Sequence, residues 1–147
     1  GRNRRDPGDH EKAQAMLAMM RQGWGAEGSA FMRAFSSLYL PNGTPEQIRW
    51  YADMQRIAAS GDIAARLRNT CDDIDVTAML PQVNVPTLVI HARHDNVAPF
   101  AQGRLLASMI PGARLLSLES ENHLPLHGEP DWEPLVAAIE AFVPDLQ

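Results

Sequence analysis

Apolar residues are spaced differently in the two halves of this chain. From residue 9 to about residue 80 they recur every three or four positions, which is typical of helices that bury one face. From residue 85 onward, short unbroken apolar runs alternate with amphipathic segments, which is typical of alternating strands and helices. The pattern therefore predicts a helical region over residues 1–80 and an α/β region over residues 81–147.

Four helices are predicted in the helical region, beginning near residues 11, 29, 44 and 62. The third has the clearest start, because Thr44 can cap it, Pro45 suits its first turn and Gln47 completes a capping box. Cys71 is expected to be a half-buried thiol on a helix. On the third and fourth predicted helices, the apolar positions predicted to face inward include Tyr51, Ile57, Ile63 and Leu67.

The α/β region is predicted to be a strand–helix–strand–helix unit. Residues 86–91 form an apolar, β-branched run that is typical of a strand covered on both faces, and residues 113–118 form a second strand. Amphipathic segments over residues 99–110 and 131–143 predict the two helices, and a Pro-Gly pair ends the first of them. A crossover of this length is right-handed and makes the two strands parallel neighbours.

Two parallel strands do not make a stable sheet by themselves, because parallel sheets are normally larger and buried. Further strands are therefore expected either from sequence upstream of Gly1 or from a second subunit. The chain also starts with glycine and not with methionine, as a processed or cleaved fragment would.

Composition and charge argue against several classes of function. The 147 residues are 45% hydrophobic and carry a net charge of -5, so this segment has no electrostatic reason to bind nucleic acid. No apolar run approaches the ~20 residues that span a bilayer. A single cysteine cannot form a disulfide within the chain, and a cytoplasmic location is expected. The acidic turn at residues 72–75 has no histidine or glutamate nearby, which favours helix capping over a metal site.

A carboxylate and an imidazole follow the two predicted strands. Asp95 comes after the first strand, and His123 comes one helix and one strand later. Ligands of open α/β sheets meet the loops at the carboxyl ends of the strands. A histidine in such a loop can act as a general base when a carboxylate holds its other ring nitrogen. By spacing alone, a turn-capping aspartate and a surface histidine are an equally good interpretation.

Aromatic side chains of the helical region are candidates for the roof of an apolar substrate pocket. The candidates are Trp24, Phe31 and Phe35, with His127 near the pocket entrance. As ordinary helix–helix core the aromatic residues need no such function, and His127 can equally be an exposed loop residue. His91 ends a strand and is expected to be packed or bonded to backbone.

Several short motifs in the second half point to a known family. They occupy residues 85–100, 103–106, 110–114 and 119–123. Together they closely resemble the C-terminal part of α/β-hydrolase fold proteins, and residues 44–47 and 73–76 resemble the cap and return segment of one branch. In that branch the hydrolase domain is often fused to a winged-helix or LuxR-type DNA-binding domain, or to an adenylate/guanylate cyclase domain.

The resemblance implies a partial α/β-hydrolase fold, in which residues 1–80 form the helical cap region and residues 81–147 form the C-terminal segment of the core. It implies Asp95 as the acid and His123 as the base of a catalytic triad, whose serine sits in a strand-to-helix elbow. No Gly-x-Ser-x-Gly turn occurs in this sequence, so the nucleophile is expected upstream. The complete protein is then an acyl or ester hydrolase without metal or organic cofactor, and the fragment alone is inactive.

Two alternatives remain open. The chain can belong to a non-catalytic, ligand-sensing domain of a transcriptional regulator, since a fold does not fix a function. It can also form a self-standing dimer whose sheet edges pair between subunits. The expected partners are a small-molecule substrate or ligand and either the upstream core segment or a second subunit that completes the sheet. Neither nucleic acid nor a membrane is expected as a partner of this segment.

Overall fold

The computed structural model describes residues 7–143, with side chains from residue 11 onward, so the ends of the two predicted regions lie outside the described residues. Each predicted helix and strand is present, with ends that differ from the prediction by a few residues. The elements are helices α1 (Pro7–Gly23), α2 (Ala30–Tyr39), α3 (Pro45–Ala58) and α4 (Gly61–Asp73), a 3-10 helix (Thr77–Gln82), strand β1 (Leu88–Ala92), helix α5 (Phe100–Met109), strand β2 (Arg114–Leu118) and helix α6 (Trp132–Phe142).

The chain divides into two compact units. Among the described residues, the first consists of residues 7–37 and 44–76, and the second of residues 38–43 and 77–143. The short segment 38–43 lies early in the sequence but belongs to the unit that contains both strands. Hydrophobic periodicity does not reveal this assignment, because it reports local structure and not long-range contacts.

In the first unit, helices α1 and α4 pack closely against each other. A Cβ atom on Gly61 would lie only 2.9 Å from the backbone oxygen of Met20 and from the Cβ of Trp24. Ala64 and Ala65 continue the same face of α4 and are buried. Small side chains at these positions therefore let the two helices approach each other.

The predicted capping box of α3 is confirmed. The Thr44 hydroxyl accepts a hydrogen bond from the Gln47 backbone N–H, and the Gln47 side chain accepts one from the Thr44 N–H at 2.7 Å. Helix α4 is capped by Ser60, whose hydroxyl accepts from the Ile63 N–H. These local bonds satisfy backbone donors that have no partner within a helix, which is why the helix starts are readable from sequence.

Some predicted inward-facing positions of α3 and α4 are wrong. Ile57 is 77% exposed, and both Ile63 and Leu67 are exposed as well. On α4 the buried residues are instead Ala64 and Ala65. On α3 they are Tyr51 and Ala52. A helix with two apolar stripes does not specify by spacing alone which stripe is buried.

Cys71 lies on a helix, as predicted, but the prediction that it is half-buried is wrong because the residue is exposed. Cys71 lies in the last turn of α4. Arg68 and Asp72, which are partly buried in this part of the helix, form an ion pair with an N–O distance of 3.2 Å.

In the second unit, β1 and β2 pair in parallel, as predicted, with Leu88 opposite Arg114 and Ala92 opposite Leu118. Helix α5 packs on both strands and on the 3-10 helix, and helix α6 packs on β2. The two strands thus end at the same edge of the sheet. The core of this unit contains Leu40, Leu80, Val89, Ala92, Ile110, Leu118 and Leu135.

Helix α5 lies against the imidazole of His91 on β1. A Cβ atom on Gly103 would lie 2.7 Å from His91 Nδ1 and 2.9 Å from His91 Cβ. The ring is also held at its far end, because His91 Nε2 is 2.8 Å from the carbonyl oxygen of Ala98. Glycine at position 103 therefore allows the close approach between α5 and β1.

Gly103→Ala is expected to lower the free energy of unfolding. The added methyl group requires movement of the His91 ring or of the strand backbone, and overpacking of this kind costs about 1–3 kcal/mol. Alanine improves helix propensity by about 1 kcal/mol and offsets only part of that cost. Urea denaturation of the protein measures the difference.

Gln102→Ala is the control for this comparison, because residue 102 is the exposed neighbour of Gly103 on α5. It should stay within about 0.5 kcal/mol of wild type. Equal or greater stability of Gly103→Ala would mean that the His91 ring does not limit the approach of α5.

Candidate active site

The loop after β1 places Asp95 at the carboxyl end of the strand. Its Oδ1 atom accepts hydrogen bonds from the backbone N–H groups of Val97 at 2.7 Å and Ala98 at 3.0 Å. These bonds close a tight turn in front of α5, and they leave the Oδ2 atom for another partner. The Asp95 side chain is only 3% exposed.

The loop after β2 brings His123 to the same edge of the sheet. Its backbone N–H donates to the carbonyl oxygen of Tyr39 at 2.8 Å, and its ring packs edge-to-face on the Tyr39 ring with the centroids 5.4 Å apart. The His123 side chain is 31% exposed. One side of the imidazole is thus supported by Tyr39, while part of the ring faces solvent.

Asp95 and His123 are in direct contact. Asp95 Oδ2 lies 2.6 Å from His123 Nδ1. An ionised carboxylate can only accept hydrogen bonds, so His123 Nδ1 carries a proton and donates a hydrogen bond to Asp95 Oδ2. In the neutral imidazole, Nε2 is then the unprotonated nitrogen. This arrangement can accept a proton at Nε2 and stabilise the resulting positive charge through Asp95.

The electrostatics of Asp95 favour its ionised form. Burial raises the pKa of the Asp95 carboxyl, but hydrogen bonds from His123 and from the Ala98 and Val97 N–H groups lower it, and a positive charge on His123 lowers it further. The lowering effects outweigh burial, so the pKa of Asp95 lies below its ordinary value. A buried carboxylate is thus kept charged by donors that point at it.

Two further histidines lie near Asp95. His91 Nε2 donates to the Ala98 carbonyl and lies 3.6 Å from Asp95 Oδ2. The prediction that His91 is bonded to backbone is confirmed. His94 is exposed and lies 3.8 Å from a carboxylate oxygen of Glu119. Of the imidazoles in this region, His123 makes the short contact with Asp95.

A polar cluster next to His123 was not predicted from the sequence. It consists of Ser120, Asn122 and Glu129, together with the backbone of Asn42. Asn122 donates from Nδ2 to Glu129 at 2.5 Å and accepts at Oδ1 from the Asn42 N–H at 3.0 Å. The sequence shows an asparagine directly before the histidine, but it does not show that this side chain is buried.

The aromatic candidates form a cluster within the first unit. The ring centroids of Trp24 and Phe35 are 5.4 Å apart, and those of Phe31 and Phe35 are 5.7 Å apart. The indole N–H of Trp24 donates to the Ala59 carbonyl at 2.9 Å. These contacts are those of an ordinary helix–helix core, and a role of the cluster in substrate binding stays a prediction.

His127 belongs to the second unit and is exposed. Its ring packs edge-to-face on Trp132, with the centroids 5.6 Å apart. The contact places His127 at the start of α6, and its expected position at a pocket entrance stays a prediction.

Within residues 11–143, no group of three or more histidine, cysteine, aspartate or glutamate side chains is arranged to hold a metal ion. Within the same part of the chain, every helix is too short or too polar to cross a membrane.

Curated proteins with similar sequences include several hydrolases, whereas no protein-family model matches the chain. The chain is 34% identical over 82 residues to a proposed carbamate hydrolase, RutD of Pseudomonas syringae pv. syringae, which is 56% of this chain and 31% of that protein. It is 46% identical over 63 residues to rhodomycin D methylesterase DnrP of Streptomyces peucetius, which is 42% of this chain and 20% of that protein. The chain thus spans less than a third of the length of these relatives.

Solved structures of esterases have the same fold over about half of their length. An esterase from Exiguobacterium antarcticum superposes with a TM-score of 0.71 at 19% identity, covering 92% of this chain and 47% of the esterase. A thermophilic esterase from Thermogutta terrifontis gives a TM-score of 0.69 at 22% identity, covering 96% of this chain and 52% of the esterase. At these identities the likeness concerns the fold alone. The chain therefore has part of the α/β-hydrolase fold, as its sequence motifs implied.

Proposed function

We propose that Asp95 and His123 are the acid and base of a Ser-His-Asp type triad in a hydrolase that cleaves esters or related acyl compounds. The observation that carries this proposal is the 2.6 Å contact between Asp95 Oδ2 and His123 Nδ1. It is supported by the names of the relatives, which describe a carbamate hydrolase and a methylesterase. A serine of the complete protein is the expected nucleophile.

In this mechanism His123 Nε2 accepts the proton of the nucleophilic hydroxyl as that oxygen attacks the acyl carbon. Asp95 holds the imidazole in the required tautomer and stabilises the imidazolium that forms. The imidazolium then donates its proton to the leaving oxygen, which completes the first half of the reaction. A water molecule then attacks the acyl-enzyme, with His123 again accepting the proton and passing it to the departing serine oxygen, and the acid product is released.

The nucleophile of this reaction is expected in a glycine-flanked elbow between a strand and a helix. These 147 residues contain no Gly-x-Ser-x-Gly turn, so the proposal requires the elbow and the oxyanion donors to lie elsewhere in the complete protein. The 147-residue chain alone is expected to be inactive, because the base has no hydroxyl to activate.

A ligand-sensing domain without catalysis is the less favoured function. Ligand binding requires a pocket, but it does not require a buried carboxylate that stays ionised and holds the Nδ1 proton of a half-exposed histidine. That arrangement serves proton transfer at Nε2. The similar curated proteins named above also carry enzyme names.

His123→Ala is expected to abolish hydrolysis in the complete protein. Loss of a general base costs about 10²–10⁴-fold in rate, and loss of the acid through Asp95→Asn should fall in the same range because the wrong tautomer is then favoured. Hydrolysis of p-nitrophenyl acetate, followed by release of p-nitrophenolate, measures both rates.

His94→Ala is the matched control for His123→Ala. It removes an exposed imidazole from the neighbouring loop without touching the contact between Asp95 and His123, so the rate should stay close to that of wild type. If the complete protein hydrolyses the ester equally well with alanine at position 123, the proposed triad is wrong. Activity of the isolated chain that is lost in His123→Ala would instead contradict the expectation that the nucleophile lies outside these 147 residues.

The free energy of unfolding is expected to decrease at low pH, in part because Asp95 becomes protonated. Its pKa is lower in the folded protein than in the unfolded chain, so its ionised form stabilises the fold above the unfolded pKa. This stabilisation is lost as the pH falls through the lowered pKa. Asp95→Asn removes the contribution, so the drop in the free energy of unfolding between about pH 6 and about pH 3 should be smaller in this variant.

Asp62→Asn is the control for charge in this experiment, because it neutralises an exposed carboxylate in the first unit. It should retain the wild-type loss of stability between the two pH values, measured by urea denaturation. A wild-type pH dependence in Asp95→Asn would show that the donors around Asp95 do not favour its charged form.

A further inference from the structure

Asn122, the residue before His123, is a polar side chain in the interior of the second unit. It is 1% exposed. Both ends of its amide are used: Nδ2 donates to Glu129 Oε1 at 2.5 Å, and Oδ1 accepts from the Asn42 N–H at 3.0 Å. A buried amide with a donor on one side and an acceptor on the other can adopt only one orientation.

Glu129 completes a ring of hydrogen bonds among Ser120, Asn122 and Glu129, called the polar ring below. Its Oε2 atom accepts from the Ser120 hydroxyl at 3.0 Å, and the same hydroxyl oxygen accepts from the Asn122 backbone N–H at 3.0 Å. The loop between β2 and His123 is therefore bonded to the later loop that carries Glu129. Hydrogen bonds to a carboxylate are shorter and stronger than those between neutral groups.

The polar ring is connected to His123 through segment 38–43. The Asn42 N–H binds the Asn122 side chain, while the Tyr39 carbonyl accepts from the His123 N–H at 2.8 Å. Two successive residues of the base loop, which we define as residues 119–123 between β2 and the base, are thus held by one short segment of the same unit. Displacement of Asn122 would change the path of the backbone at His123 and with it the position of Nε2.

We propose that Asn122, fixed by Glu129, is a positioning residue that sets the place of the His123 imidazole relative to the nucleophile. This inference rests on the proposed role of His123 as a base. Asn122 takes no part in the hydrogen bond between the His123 imidazole and Asp95. It acts on the backbone that carries His123.

An alternative is that the polar ring only stabilises the loop. In that case a variant would unfold more easily, but each folded molecule would turn over substrate normally. A positioning role instead lowers kcat in the folded molecules and leaves KM unchanged, because a base that is misplaced by about 1 Å can cost about 10²-fold in rate. The split between kcat and KM therefore separates the two roles.

The test is a double-mutant cycle in the complete protein, with p-nitrophenyl acetate as the probe. Asn122→Asp replaces the Nδ2 donor by an oxygen that faces Glu129 Oε1 and repels it. Glu129→Gln in the same chain supplies the missing donor, reverses the hydrogen bond and restores the original charge of the pair. We expect kcat to fall about 10–100-fold in Asn122→Asp and to return to within about 3-fold of wild type in the double variant.

Glu121→Gln is the control for the charge change at Glu129, because it makes the same substitution at an exposed position of the base loop. It should leave kcat and KM at their wild-type values. Glu129→Gln alone is expected to lower kcat to an intermediate level, and it carries the test if Asn122→Asp does not fold. Titration of active enzyme with a slow acylating ester corrects each rate for the folded fraction.

Wild-type kcat in folded Asn122→Asp, or no recovery in the double variant, would overturn the inference. If His123→Ala inactivates the protein and one of these two results is found, the proposed triad still holds and only the role of Asn122 is refuted. A protein that retains activity in His123→Ala contradicts the triad itself, so the two failures are distinguishable.

Discussion

Contact between Asp95 and His123 depends on two neighbouring parallel strands ending at the same edge of the sheet. The pairing of Ala92 with Leu118 sets where each following loop begins, and both loops then emerge side by side. The crossover through α5 is what makes the strands parallel, since an antiparallel return would send the second loop to the opposite edge. A carboxylate and an imidazole that are distant in sequence therefore come within 2.6 Å of each other.

Burial of a carboxylate at this edge is tolerated because backbone donors surround it. Two N–H groups of the loop after β1 donate to Asp95 Oδ1, and the imidazole of His123 donates to Oδ2. The loop that supplies those donors is itself held by His91, which donates to the carbonyl of Ala98. Glycine at position 103 leaves room for that ring between β1 and α5. One short loop thus fixes the charge state and the position of the acid.

The base loop is held by a different set of interactions, which come from a segment distant in sequence. Residues 38–43 supply a carbonyl and an N–H group to the residues at 122 and 123, and Tyr39 also supports the imidazole ring. Glu129 adds a part-buried hydrogen bond between its carboxylate and the Asn122 amide. The acid is therefore positioned mainly by its own loop, whereas the base is positioned by two other segments, residues 38–43 and the loop at Glu129.

The sequence alone determined the local structure of this protein. Helices, strands and the capping box at Thr44 follow from side-chain spacing and from bonds between residues close in the chain, as does the placement of Asp95 and His123 after successive strands. Tertiary structure decided which apolar faces are buried, because packing selected the glycine and alanine face of α4 over Ile63 and Leu67. It also decided that Asn122 is buried, because one partner of its amide, the N–H of Asn42, comes from a segment distant in sequence and leaves no periodic signal.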